Sequence, residues 1–163
     1  MKVIYKLGSD ISTDHIYPGR YMATVLPSET PQYAFADMPD LNKLLNQSDK
    51  SEPRVIIAEN NFGTGSSREQ AVSTLVGHNL VIVARNFARI FFQNSINLGL
   101  KTVECPEFEA ELGDELEIDE EYLLNKTTNK KFSIVPIPAA RRAIVDAGGL
   151  IAYTRKLLIT ERT

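Results

Sequence analysis

Cysteine is nearly absent, Cys105 being the only one in 163 residues. A lone thiol can form no internal disulfide and cannot hold an iron-sulfur cluster, which takes several thiolates. Any such cluster would have to come from another chain. Histidine is almost as scarce, and His15 and His78 stand too far apart in sequence for a local metal pair, so no metal site is assigned here. No apolar run approaches the ~20 residues that cross a bilayer. The opening Met1-Lys2-Val3-Ile4-Tyr5-Lys6 is too short and too interrupted for a signal peptide, so the expected location is cytoplasmic, with no membrane contact. The net charge is -3 and the basic residues are dispersed, which leaves no footprint for nucleic acid. Repeats and low-complexity tracts are also missing, so solenoid and linker architectures are excluded.

What remains is the balance of a globular protein, 43% hydrophobic and 24% charged. The length suits one domain, taken as residues 1–163. Arg54-Val55-Ile56-Ile57-Ala58-Glu59 and Leu80-Val81-Ile82-Val83-Ala84 are short, β-branched apolar runs. A helical stretch from about 67 to 76 separates them. A helix carrying Phe87, Ile90, Phe91 and Asn94 then leads to a third run, Lys101-Thr102-Val103-Glu104. Strand, helix, strand, helix, strand predicts parallel strands joined by right-handed crossovers and buried on both faces. The stretch 41–53 reads as helix ending in an exposed loop. Residues 112–119 and 132–137 read as two strands that pair antiparallel, and 139–156 has helical spacing interrupted by Gly148-Gly149. The expectation is a three-layer α/β domain with a mostly parallel central sheet, additional β strands at both ends of the chain and a C-terminal helix.

Chemistry concentrates in Asn60-Asn61-Phe62-Gly63-Thr64-Gly65-Ser66-Ser67-Arg68-Glu69, which joins a buried strand to a helix start. Helix N-termini offer unpaired N–H groups and partial positive charge, which suits an anion. Gly63 and Gly65 would let a ligand approach the backbone, and Arg68 adds a fork for a carboxylate. Ser66 with Glu69 equally reads as a capping box, a purely structural device. A P-loop would need a Gly-Lys-Ser/Thr ending, and a dinucleotide fingerprint a third glycine where Arg68 stands. A second segment, Asp10-Ile11-Ser12-Thr13-Asp14-His15-Ile16-Tyr17-Pro18-Gly19-Arg20-Tyr21, reads locally as a turn capped by Asp and Thr side chains.

These two segments, followed by Asn86-Phe87-Ala88-Arg89-Ile90-Phe91 with residues 94–99, resemble in the same order three signatures of the small subunits of isopropylmalate dehydratase and homoaconitase. Those subunits are similar to the swivelling domain of aconitase, and the resemblance runs from about residue 6 to 99, more loosely beyond. It implies a hydro-lyase that removes and re-adds water on a small hydroxy-dicarboxylic acid, with a large partner subunit holding a [4Fe-4S] cluster as Lewis acid. It implies Ser66 as the base, Ser67 and Arg68 as ligands of a substrate carboxylate, and Asp14 as an active-site acid. Relatives acting on tricarboxylic acids carry an arginine just after the first signature. Here that stretch is Tyr21-Met22-Ala23-Thr24, which favours an alkyl substituent over an unpaired carboxylate. Arg20 belongs to the general signature, and Thr64 stands where many relatives have cysteine. An isopropylmalate of leucine biosynthesis is the expected substrate, followed by dimethylmalate or citramalate, then homocitrate. A free-standing anion-binding module is the reading from another class.

Overall fold

The computed structural model describes residues 1–160. Four strands, β1 (Val3–Lys6), β2 (Arg54–Ala58), β3 (Leu80–Ala84) and β4 (Lys101–Glu104), form a wholly parallel sheet in sequential order. Ile56 faces Ile82 and Ile57 faces Val83 across β2 and β3, both fully buried. Each crossover steps one strand in the same direction. Right-handed connections therefore carry every helix between the strands to one face.

Strand alternation sorts the core into two layers. Ile56, Ala58, Leu80, Ile82 and Ala84 pack against α2 (Pro39–Gln47), α3 (Glu69–Val76) and α4 (Arg89–Leu98) through Leu41, Leu45, Val72, Leu75 and Phe91. Val55, Ile57, Val81 and Val83 point the other way, onto Leu116 and Leu123 of a second sheet. That sheet is antiparallel and joins β5 (Leu116–Ile118), β6 (Tyr122–Asn125) and β7 (Lys130–Ser133) in that order. Helices, parallel sheet and antiparallel sheet make the three expected layers.

Three local expectations change. The first strand is no addition to the sheet but its edge, pairing parallel with β2. Residues 112–119 and 132–137 do not pair with each other. Their strands are shorter, and β6, a four-residue strand between acidic and polar turns, lies between them. The chain also ends in two helices, α5 (Ala139–Asp146) and α6 (Leu150–Thr160). They break at Gly148-Gly149 because this junction packs directly on the end of α4, where a Cβ on Gly99 would come within 2.5 Å of the Gly148 backbone.

Candidate active site

The loops that leave the carboxyl ends of β1, β2 and β3 carry the three signature segments, and the sheet order brings them side by side. Hydrogen bonds continue the sheet's pairing beyond its last residues. Asp10 N–H donates to Asn60 O at 2.8 Å, Gly63 N–H to Ile11 O at 2.7 Å and Thr13 N–H to Thr64 O at 2.8 Å. On the other side Phe62 N–H donates to Asn86 O at 3.2 Å and Ala88 N–H to Phe62 O at 2.9 Å.

Polar side chains complete this seam. Asn61 Nδ2 donates to Asp10 Oδ1 at 2.8 Å, Asn61 N–H to Asn86 Oδ1 at 2.7 Å, and Asn86 Nδ2 to Asn60 Oδ1 at 2.9 Å. Asp10 and Asn61 both sit at positive φ, +57° and +61°. Asn and Asp are the non-glycine residues that accept that region most readily. Sequence reasoning assigned these residues no role, although paired Asp and Asn at turn positions were the available signal.

The resulting surface places Ser66, Ser67, Arg68 and Asp14 together. Ser66 Oγ lies 3.1 Å from Thr13 Oγ1, which also accepts Ser66 N–H at 3.1 Å. Thr13 is buried and Ser66 is exposed. The threonine oxygen already accepts from the amide, so its own proton is available to Ser66 Oγ. The expected Ser66–Glu69 capping box does not form: α3 begins at Glu69 and no side chain caps it, because Ser66 is engaged by Thr13 instead. The capping box that exists joins Ser12 and His15 around α1 (Thr13–Ile16). That geometry occupies His15 Nδ1 with the Ser12 amide.

Arg68 forms an ion pair with Asp14, and its Nη1 also donates to Tyr17 O at 3.4 Å. Among the described residues no hydrogen bond engages its Nη2 or Nε, leaving donors for a carboxylate. The guanidinium of Arg68, by hydrogen bonding foremost, holds the Asp14 carboxyl below its usual range. Ser67 is exposed, and its carbonyl accepts from Asn94 Nδ2 at 3.3 Å.

Gly63 has a different use from the one expected. Gly63 is buried at φ +83°, and a Cβ there would lie 2.1 Å from the ring of Phe91. Its missing side chain admits α4, not a ligand. In the turn 21–24, Tyr21 and Met22 are partly buried against the helix-side core and only Ala23 is exposed, so Met22 packs inward.

Cys105 is fully buried and donates to Ser133 O, and burial pushes its thiol up to about 11. Among the described residues no three His, Cys, Asp or Glu side chains cluster to hold a metal, and no helix is long and apolar enough to cross a membrane. One buried thiol held protonated does not supply the several thiolates that an iron-sulfur cluster takes. A hollow of about 300 Å³ opens elsewhere, between β4, β5 and α5, lined by Val103, Ile118, Ile134 and Arg142 among others and by none of the four candidate residues. Ser66 itself is exposed.

Residues 11–108 match the aconitase C-terminal domain. The 3-isopropylmalate dehydratase small subunit of Methanosarcina mazei is 41% identical over 97% of both chains, and that of Aquifex aeolicus is 38% identical over 97% of this chain and 95% of its own. The crystal structure of 3-isopropylmalate dehydratase from Methanocaldococcus jannaschii superposes with a TM-score of 0.85 at 34% identity, covering 99% of this chain and 98% of that one. The ordered signatures, the three-layer fold and these likenesses show that the chain belongs to the aconitase C-terminal domain family and, within it, to the 3-isopropylmalate dehydratase small subunits.

Proposed function

We propose that this chain is the small subunit of a hydro-lyase that interconverts 2-isopropylmalate and 3-isopropylmalate, a step of leucine biosynthesis, and that it acts only with a large subunit. The observation that carries this is the meeting of Ser66, Arg68 and Asp14 on a solvent-open surface built from all three signature segments. Electrostatic catalysis needs a water-poor enclosure, and an exposed serine beside an arginine gains one only when a second protein surface covers it.

The chemistry assigned to the chain starts with Ser66 Oγ removing the proton on the carbon beside a substrate carboxylate. The C–H electron pair becomes the new C=C bond as the hydroxyl leaves the neighbouring carbon, and water re-adds with hydrogen and hydroxyl exchanged. A serine is a poor base in water. The Thr13 hydroxyl at 3.1 Å, the Arg68 charge and the uncapped start of α3 all favour its alkoxide. Arg68, with Ser67, holds the carboxylate next to the acidified carbon, so neutralising that carboxylate also eases proton removal. Asp14 keeps the arginine aligned and stays ionised through the neutral range. The leaving hydroxyl would be met by the Lewis acidity of a [4Fe-4S] cluster on the large subunit.

The turn Tyr21-Met22-Ala23-Thr24 is assigned to substrate choice. It offers no cation for a third carboxylate, which argues against homocitrate. Exposed Ala23 is small, and a dimethylmalate or citramalate is the second reading on that ground. Copurification with the large subunit and a substrate panel test both. The expected result is turnover of isopropylmalate at a kcat/KM about tenfold above the methylmalates, as one or two methyl groups in an apolar pocket can give. Preference for homocitrate would overturn the role given to the turn, and assembly without activity on any hydroxy acid would favour an anion-binding module.

A further inference from the structure

We infer that Tyr17 and Tyr33 are positioning residues for substrate choice, which they exert by fixing the turn 21–24; this rests on the functional reading above. The Tyr17 side chain is fully buried beneath the turn. Its hydroxyl donates to Tyr21 O at 3.0 Å and lies 3.4 Å from Thr24 O, the two carbonyls that bracket the turn. Thr24 N–H donates to Tyr21 O at 2.9 Å, so that carbonyl receives two donors and both of its lone pairs are used.

The Tyr21 ring has two close partners. Tyr33 stacks on its ring at 4.1 Å and 14°, and the Arg20 guanidinium lies 4.6 Å from its centroid. Two hydrogen bonds, at 3.0 and 2.6 Å, tie Arg20 to Asp37. Tyr33 also meets the edge of Tyr17 at 6.3 Å and 77°. With Met22 packed inward, these contacts account for every side chain that precedes Ala23 in the turn.

Tyr17 has a second connection, because its backbone carbonyl accepts from Arg68 Nη1 at 3.4 Å. One residue thus joins the group assigned to the substrate carboxylate to the turn assigned to the alkyl substituent. A turn held this way discriminates by shape, and loosening it alters how well a substituent fits while leaving Ser66 and Thr13 in place.

The test uses the assembled complex with Tyr17→Phe, Tyr33→Leu and Tyr33→Phe. The readout is the kcat/KM ratio between the substrate that the unaltered complex prefers and the next one. Tyr17→Phe removes one hydrogen bond and is expected to lower that ratio about three- to tenfold, through KM, with kcat kept within about twofold. Tyr33→Leu is expected to do the same, and Tyr33→Phe, which keeps the stacked ring, to restore the original ratio. An unchanged ratio in both Tyr17→Phe and Tyr33→Leu, or an equal loss on all substrates, overturns the inference. A complex that prefers another hydroxy acid overturns the isopropylmalate reading instead, and the ratio is then read on that acid. If no acid is turned over, chymotryptic cleavage after Tyr21 in the full chain decides. Cleavage about three- to tenfold faster in the same two variants supports the inference, and unchanged cleavage refutes it.

Discussion

At the carboxyl ends of β1, β2 and β3, loops from distant parts of the chain are joined by named polar partners, whereas the region from β5 to α6 is joined mainly by apolar contact, with one buried polar knot at Asn125, whose Nδ2 donates to Asp114 Oδ2 at 2.7 Å and to Glu109 O at 3.1 Å. Asp10, Asn60, Asn61 and Asn86 fit one another atom by atom, and Thr13 fits Ser66. The later region rests on Leu116 and Leu123 packing beneath the parallel sheet, with exposed ion pairs such as Lys126–Glu117 at 2.8 Å around it. Its last helix leaves Ile151 70% and Leu158 54% exposed. The first kind of region demands particular residues because a buried or strained polar group has few acceptable partners. Apart from Asn125, the second demands only a pattern, which many residues satisfy.

The largest effect is expected at Ser66, and it should separate function from stability. Ser66→Ala in the assembled complex should lower kcat about 10²- to 10⁴-fold, as loss of a general base does. Urea unfolding of the chain should change by no more than about 1.5 kcal/mol, since one part-buried hydroxyl bond is lost and Thr13 Oγ1 keeps the Ser66 amide. Residual turnover near the original rate would move the base elsewhere. Two glycines then set the regions against each other. Gly63→Ala meets both φ +83° and the Phe91 ring at 2.1 Å, so it should cost about 3 kcal/mol or more. Gly148→Ala, between α5 and α6 at φ +86° with nothing within 4 Å, should cost only the conformational strain of about 1 kcal/mol. Equal losses in urea midpoints would erase the difference drawn between them.

The same division explains what could be read from sequence. Continuous apolar runs at 54–59 and 80–84 announced buried parallel strands, and these appear as β2 and β3. The juxtaposition of Ser66, Arg68 and Asp14 was legible only through the order of three segments, since no local pattern says that residues 14 and 68 touch. Ser66 with Glu69 met the local rule for a cap, yet the longer-range partner Thr13 took the serine. Strand β6 escaped because Tyr122-Leu123-Leu124-Asn125 is too short for alternation to show, and only its neighbours on either side define it. Gly63 was misread because a glycine admits a ligand or a neighbouring helix equally, and sequence does not say which.

His78 sharpens the comparison on the helix face. It is fully buried, with Nε2 2.7 Å from Pro31 O and Nδ1 unpartnered among the described residues. Burial lowers its pKa from 6.5 to about 4. The unfolded chain therefore binds the proton more readily between those values, and stability falls as pH drops from 6.5 towards 4, by at most about 3 kcal/mol. Unfolding curves for the natural chain and for His78→Leu should converge across that window, and parallel curves would show that His78 does not titrate there. Arg68→Lys keeps the charge but loses the fork, so kcat/KM in the assembled complex should fall about tenfold. Near-normal kinetics would remove Arg68 from substrate binding.

The smallest effect belongs to Arg142 on α5, which pairs with Glu120 and donates to Ile137 O at 3.2 Å. Glu120 is 64% exposed, so water screens the pair and competes for both partners. Arg142→Ala should shift the unfolding free energy by about 1 kcal/mol or less and leave kcat/KM of the assembled complex unaltered. This variant tests the comparison from its quiet side. If the chain folds normally yet the complex loses turnover, the β5–α6 region takes part in docking the large subunit, and function is then not confined to the carboxyl ends of the parallel strands.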